Sequence, residues 1–153
     1  MKRTILTIGI FVVGLLVPAI LLDGFAQSGP ALVAKVSFSF NVCREQLPAG
    51  KYTIQHAISS SSHRLVVRSD DGRSVDIACT VDIQGRKAVA EGRLIFNRYS
   101  DQYFLAEVWW PGDQIGHEVL KSERETALIR GLSGGPKKPE KVIIKIAKPD
   151  EPN

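Results

Sequence analysis

The stretch LIFNRYSDQYFLAEVWWPG, Leu94 to Gly112, constrains the fold more than any other part of the chain, because it sets two aromatic-rich apolar runs of strand length on either side of the polar pair Ser100-Asp101. Successive side chains of a strand point to opposite faces, so Arg93 to Tyr99 and Gln102 to Trp110 read as the two arms of an antiparallel hairpin. Strict alternation in the second arm puts Phe104, Ala106, Val108 and Trp110 on one face and Tyr103, Leu105, Glu107 and Trp109 on the other. The first face reads as buried. The second is mixed, and its aromatics serve either as cross-strand packing, the favoured reading, or as a partly exposed platform; Tyr99, Tyr103, Phe104, Trp109 and Trp110 together are the candidate surface for a partner or ligand. Pro111-Gly112 ends the arm.

The same period of two recurs along the chain. VSFSFNV, Val36 to Val42, alternates as a half-buried strand requires. Pro48 and Gly50 in LPAGKYTI mark a turn, after which Tyr52, Ile54 and Ile58 continue the pattern. Arg64 to Ser69 reads as a strand leading into Asp70-Asp71-Gly72, a tight hairpin turn. Ser74 to Ile83 returns with Val75, Ile77, Cys79, Val81 and Ile83 expected on the inward face. A short helix is expected near the C-terminus: Ser122 with Glu125 forms a capping box, Glu123 and Glu125 suit the positive helix start, and Gly131 is a natural cap at its end. Leu120, Ala127 and Leu128 would give this helix its apolar side. SGGPKKPEK is then a connection to a last strand, Val142 to Ala147. The expectation is an all-β fold, an antiparallel sandwich or small barrel of about seven strands with one short helix.

The N-terminus bears on location. Lys2 and Arg3 precede an apolar run from Ile5 to Leu22, followed by the small-x-small pattern Gly24-Phe25-Ala26, so residues 1–26 read as a signal peptide. A single β-rich domain over 27–148 and a tail over 149–153 complete the organisation. The chain is expected to be secreted or periplasmic; membrane attachment would follow only from an uncleaved N-terminal anchor. Removing Lys2, Arg3 and Asp23 from 20 basic and 16 acidic residues leaves 18 against 15. That mild, dispersed excess lacks the basic stripe of a nucleic-acid binder. Export would also let Cys43 and Cys79 persist as a disulfide. Cys79 is in phase with its strand's apolar side, whereas Cys43 is out of phase with Phe38, Phe40 and Val42 unless it lies just past the strand end. Bridge and free thiols stand level.

No catalytic or cofactor motif rises above background. His56, His63 and His117 show no H-x-H or H-E-x-x-H spacing, and the cysteines no C-x-x-C pair, so neither a metal site nor a cofactor is expected. Surface histidines near strand ends are the ordinary explanation. Glu107, inside an aromatic strand, is expected to pair with a base such as Arg98. Ser122 is explained by the helix cap, and GLSGGPKK lacks the phosphate-loop pattern. Lys137, Lys138 and Lys141 read as solvated linker charges.

VSFSFNV with LPAGKYTI, then LIFNRYSDQYFLAEVW and KSERE, resembles a family of small uncharacterised secreted proteins of acidobacterial type. The R-Y-x-D-Q-Y-F-L and K-S-x-R-E segments are the more specific part. The resemblance implies export and a β-rich fold and transfers no catalytic residue; Cys43 departs from its pattern. Three functions follow as expectations. The first is a non-enzymatic module that binds an envelope or extracellular protein through Tyr99 to Trp110. The second is a lipocalin-like carrier of a small apolar ligand lined by Phe104, Trp109 and Trp110. The third is a polysaccharide or peptidoglycan hydrolase using scattered carboxylates or histidines.

Overall fold

The computed structural model describes residues 30–57, 63–132 and 138–146. The expected export segment, Ile58, Lys137 and the tail from residue 149 lie outside the described residues. The architecture is all-β with one short helix near the C-terminus. Its strands are β1 (Ala31–Val36), β2 (Phe40–Val42), β3 (Glu45–Leu47), β4 (Gly50–His56), β5 (Arg64–Ser69), β6 (Val75–Gln84), β7 (Gly92–Tyr99), β8 (Gln102–Trp109), β9 (Ile115–Val119) and β10 (Glu140–Ile146), with helix α1 (Glu123–Gly131) between β9 and β10.

Among the described residues ten strands form where about seven were expected. The run Val36–Val42 is not one strand: β1 ends at Val36 on its partner β4, and after Ser37–Ser39 β2 pairs with β8 instead. β3 and β9 are short and carry little alternation, so neither announced itself in the sequence.

All strands belong to one open sheet, ordered β1-β4-β5-β6-β9-β8, with β7 on the other edge of β8 and β10 beyond it. Neighbours are antiparallel except β2, which meets β8 in parallel through Asn41 and Phe104. The sheet curls until β10 runs alongside β1, although among the described residues no ladder joins them. One core fills the inside. Phe40, Phe96, Tyr52, Ile54 and Leu65 are all essentially sealed from solvent. The rings of Phe38 and Phe40 meet Phe96 edge-on at centroid distances of 5.2 and 5.4 Å, the geometry aromatic pairs prefer.

The turns follow their local chemistry. Gly72 takes φ +69 in the β5–β6 hairpin, where Asp71 accepts from the Arg73 N–H. Ser100 takes φ +53 between β7 and β8. The Tyr52 hydroxyl donates to the Pro48 carbonyl at 2.6 Å and braces the turn into β4. At α1 the Glu125 N–H donates to Ser122 Oγ at 3.1 Å, so the cap forms as expected, while Gly131 is the last helical residue and Leu132 the cap.

Two faces differ from the expectation, and both matter for function. In β8 the register with β7 slips between Ile95, opposite Glu107, and Phe96, opposite Leu105. Ala106 is therefore an extra residue, a β-bulge that reverses the alternation. Tyr103, Leu105, Val108 and Trp110 take the inner face; Phe104, Glu107 and Trp109 take the outer. In β6 the whole alternation is inverted. Leu65 and Val67 of β5 face the core and are paired with Ala78 and Asp76, so it is Ala78 and Thr80 that are buried. Val75, Ile77, Cys79 and Val81 point outward.

Candidate functional site

The expected aromatic platform does not exist as a surface. Tyr99, Phe104, Trp109 and Trp110 are buried, and Tyr103 is half-buried and stacked on Phe38 at 4.1 Å. Trp109 lies on the outer face yet is enclosed, because β9 offers Gly116 beneath it. A Cβ at Gly116 would come within 2.5 Å of the indole, and one at Gly85 within 2.9 Å. Val89 and Ile95 pack around the ring, the Arg93 guanidinium sits 5.1 Å from its centroid, and Nε1 donates to Glu107 at 3.0 Å. Glu107 also receives Lys141 Nζ at 3.1 Å; Arg98 goes to Glu140 instead. The pairing expected for Glu107 is thus made by β10. Phe104 and Trp109 face outward and Trp110 inward, so the three do not share one lining.

Helix α1 docks on the outer face of β7. Its buried residue is a carboxylate and not the expected Leu120, Ala127 or Leu128: Glu125 is 3% exposed and accepts from Asn97 Nδ2 at 2.9 Å and the Tyr99 hydroxyl at 3.1 Å. Burial first, and then the neighbouring Glu125 charge, pushes the Tyr99 phenol up to about 12. Ultraviolet titration of the chain's three tyrosines should therefore show one phenol ionising near pH 12, and Tyr99→Phe should remove that step. A Tyr99→Phe variant that titrates like the parent chain at high pH would contradict this docking.

At the open end of the curl the structure gathers groups that are distant in sequence. His56 stacks on Trp110 at 4.5 Å, and His117 meets His56 edge-on at 4.7 Å. Trp110 Nε1 donates to the Pro30 carbonyl at 3.0 Å, tying the start of β1 to the cluster. His117 Nδ1 lies 3.1 Å from Asp82 Oδ1 without forming a hydrogen bond. His63 approaches the other Asp82 oxygen at 4.0 Å. Asp113 and Gln114 complete an open cleft of about 490 Å³. Among the described residues no group of three or more His, Cys, Asp or Glu side chains is placed to hold a metal ion.

Sequence reading missed this cluster. One signal was present, since His56 continues the inward phase of Tyr52 and Ile54. Burial, and next the His117 ring, hold the His56 imidazole below its ordinary 6.5, with Asp113 and Asp82 opposing. A histidine whose folded pKa is depressed binds fewer protons when folded than when unfolded. Stability is therefore full above about pH 6.5 and declines as pH falls below it. Urea midpoints measured from pH 7.5 down to 5 should fall, and His56→Phe, which keeps the stacking, should flatten the decline; equal slopes would contradict the assignment.

Among the described residues nothing covers the remaining outer face. Beyond α1 and the 85–91 segment, β6 exposes Val75, Ile77 and Val81 at 50%, 51% and 40%, and Leu120, which bonds the Cys79 carbonyl, at 50%. Val66, half-buried, lies opposite Ile77. Arg64 and Arg68 flank the stripe from β5, opposite Cys79 and Val75. Cys43 and Cys79 are both free thiols. Cys79 faces outward with the stripe, contrary to expectation, because the pairing with β5 fixes β6 the other way round.

Comparison with protein-family models, with curated proteins and with solved structures finds no match. The functional reading therefore rests on these surfaces. Among the described residues no helix is long and apolar enough to cross a membrane.

Proposed function

We propose that the chain is an exported, non-enzymatic β-domain that acts by docking a protein partner on the outer face of β5 and β6. The observation that carries this reading is the inverted alternation of β6. A strand that turns Val75, Ile77 and Val81 to solvent leaves a contiguous apolar stripe of the kind that marks an interaction surface. The stripe is bounded on one side by Arg64 and Arg68, so the matching partner surface is an apolar ridge edged by carboxylates. The cluster of polar groups at the open end, from His56 to Asp113, takes a supporting part by fixing β1, β4 and β9 around Trp110.

The test is a photo-reactive amino acid at position 77 of the chain in the envelope of the cells that make it, with position 145, also exposed but on β10, as control. A discrete heterologous adduct from position 77 alone supports the reading. No adduct, equal adducts from both positions, or adducts only between copies of this chain would overturn it.

A further inference from the structure

Cys43 is the first residue after β2, in the tight connection to β3, and its φ of +44 swings it out of the β2 alternation. There it meets β6. Cys43 lines one cleft with Leu120, whose N–H donates to the Cys79 carbonyl, so the thiol stands beside the backbone of Cys79. The β6–β9 ladder begins only at Thr80, so the connection after β2 reaches β6 where that ladder starts. The apparent obstacle of opposite faces is thus removed: one thiol lies past its strand end, against the backbone of the other.

We propose that Cys43 and Cys79 are a disulfide-forming pair that closes when the chain meets a disulfide oxidant. A bridge needs Cα atoms within roughly 4.4–6.8 Å and suitably turned Cβ vectors. A thiol already beside its partner's backbone needs rotation mainly about the Cys79 side chain, which is exposed. The order of steps follows from exposure. The Cys79 thiolate attacks one sulfur of a small disulfide such as oxidised glutathione, forming a mixed disulfide and releasing one glutathione thiolate. The Cys43 thiolate then attacks the Cys79 sulfur and releases the second glutathione. Two electrons and two protons pass from the pair to the oxidant, which leaves as two thiols.

Burial favours this order, since it pushes the Cys43 thiol up and leaves it the slower first nucleophile. The bond would anchor the β2–β3 hairpin, which otherwise joins the main sheet through the Asn41–Phe104 bridge, and would close a loop of about 37 residues.

The experiment exposes the reduced full chain to oxidised glutathione and follows intact mass and thermal unfolding. The expected product is a monomer about 2 Da lighter than the reduced chain, with a Tm raised by on the order of 10 °C. Cys79→Ser should keep the reduced chain's Tm, because its side chain is exposed, and should abolish the oxidative shift. Persistence of two free thiols, a glutathione adduct that never resolves, or bonds only between chains would overturn the proposal. None of these outcomes depends on whether the β6 face docks a partner.

Discussion

Replacing Trp109 with alanine is expected to cost about 3–5 kcal/mol of folding stability, the range for removing a large buried aromatic. The indole is 7% exposed although it stands on the outer face of the sheet. It fills the space left by Gly116 and Gly85, covers Val89 and Ile95, and orients Glu107 between its own Nε1 and Lys141. Alanine would leave a void that the glycines cannot fill and would free the Arg93 guanidinium. Equilibrium urea unfolding reads the loss directly. A change under about 1 kcal/mol would mean that Trp109 is a surface residue after all, as a binding platform would require.

The second large effect is expected at Glu125. Glu125→Ala should cost about 2–4 kcal/mol, because the Asn97 amide and the Tyr99 hydroxyl lose their common acceptor inside the packed layer beneath α1. Asn97 Oδ1 already lacks a partner, so the amide cannot compensate by flipping without cost. Glu125→Gln keeps an acceptor and should cost roughly half as much. Hydrogen exchange should also show α1 losing protection before the sheet does in the alanine variant. Uniform protection across α1 and β7 would contradict the view that this carboxylate docks the helix.

Much of the fold was legible because strand periodicity and turn chemistry are local. The β5 limits, the Asp71-Gly72 turn, the β7–β8 hairpin and the Ser122 cap all follow from a few adjacent residues. Facing is a different matter. Alternation in VDIACTVDIQ says that β6 is a strand but not which side is inside; that is decided by Leu65 and Val67 of β5, which occupy the core and leave room only for Ala78 and Thr80. The bulge at Ala106 is similarly silent in sequence, since it exists only in the register between β7 and β8.

The candidate sites inherit this limit. Phe104 and Trp109 were placed on opposite faces by strict alternation and share one in the structure. His56, Asp82 and His117 carry no common spacing, and only the β6–β9 ladder, which sets Asp82 opposite His117, brings them together. Cys43 escaped its expected face through a single positive φ.

The central claim is that β6 presents its apolar side to the exterior, and a charge placed at its middle tests this most directly. Ile77→Lys, followed by equilibrium urea unfolding, should change stability by no more than about 0.5 kcal/mol, because the side chain is half-exposed and the lysine can remain solvated. A loss of about 3 kcal/mol or more, the scale expected for an unpaired charge forced into a core, would put that face inside and contradict the account.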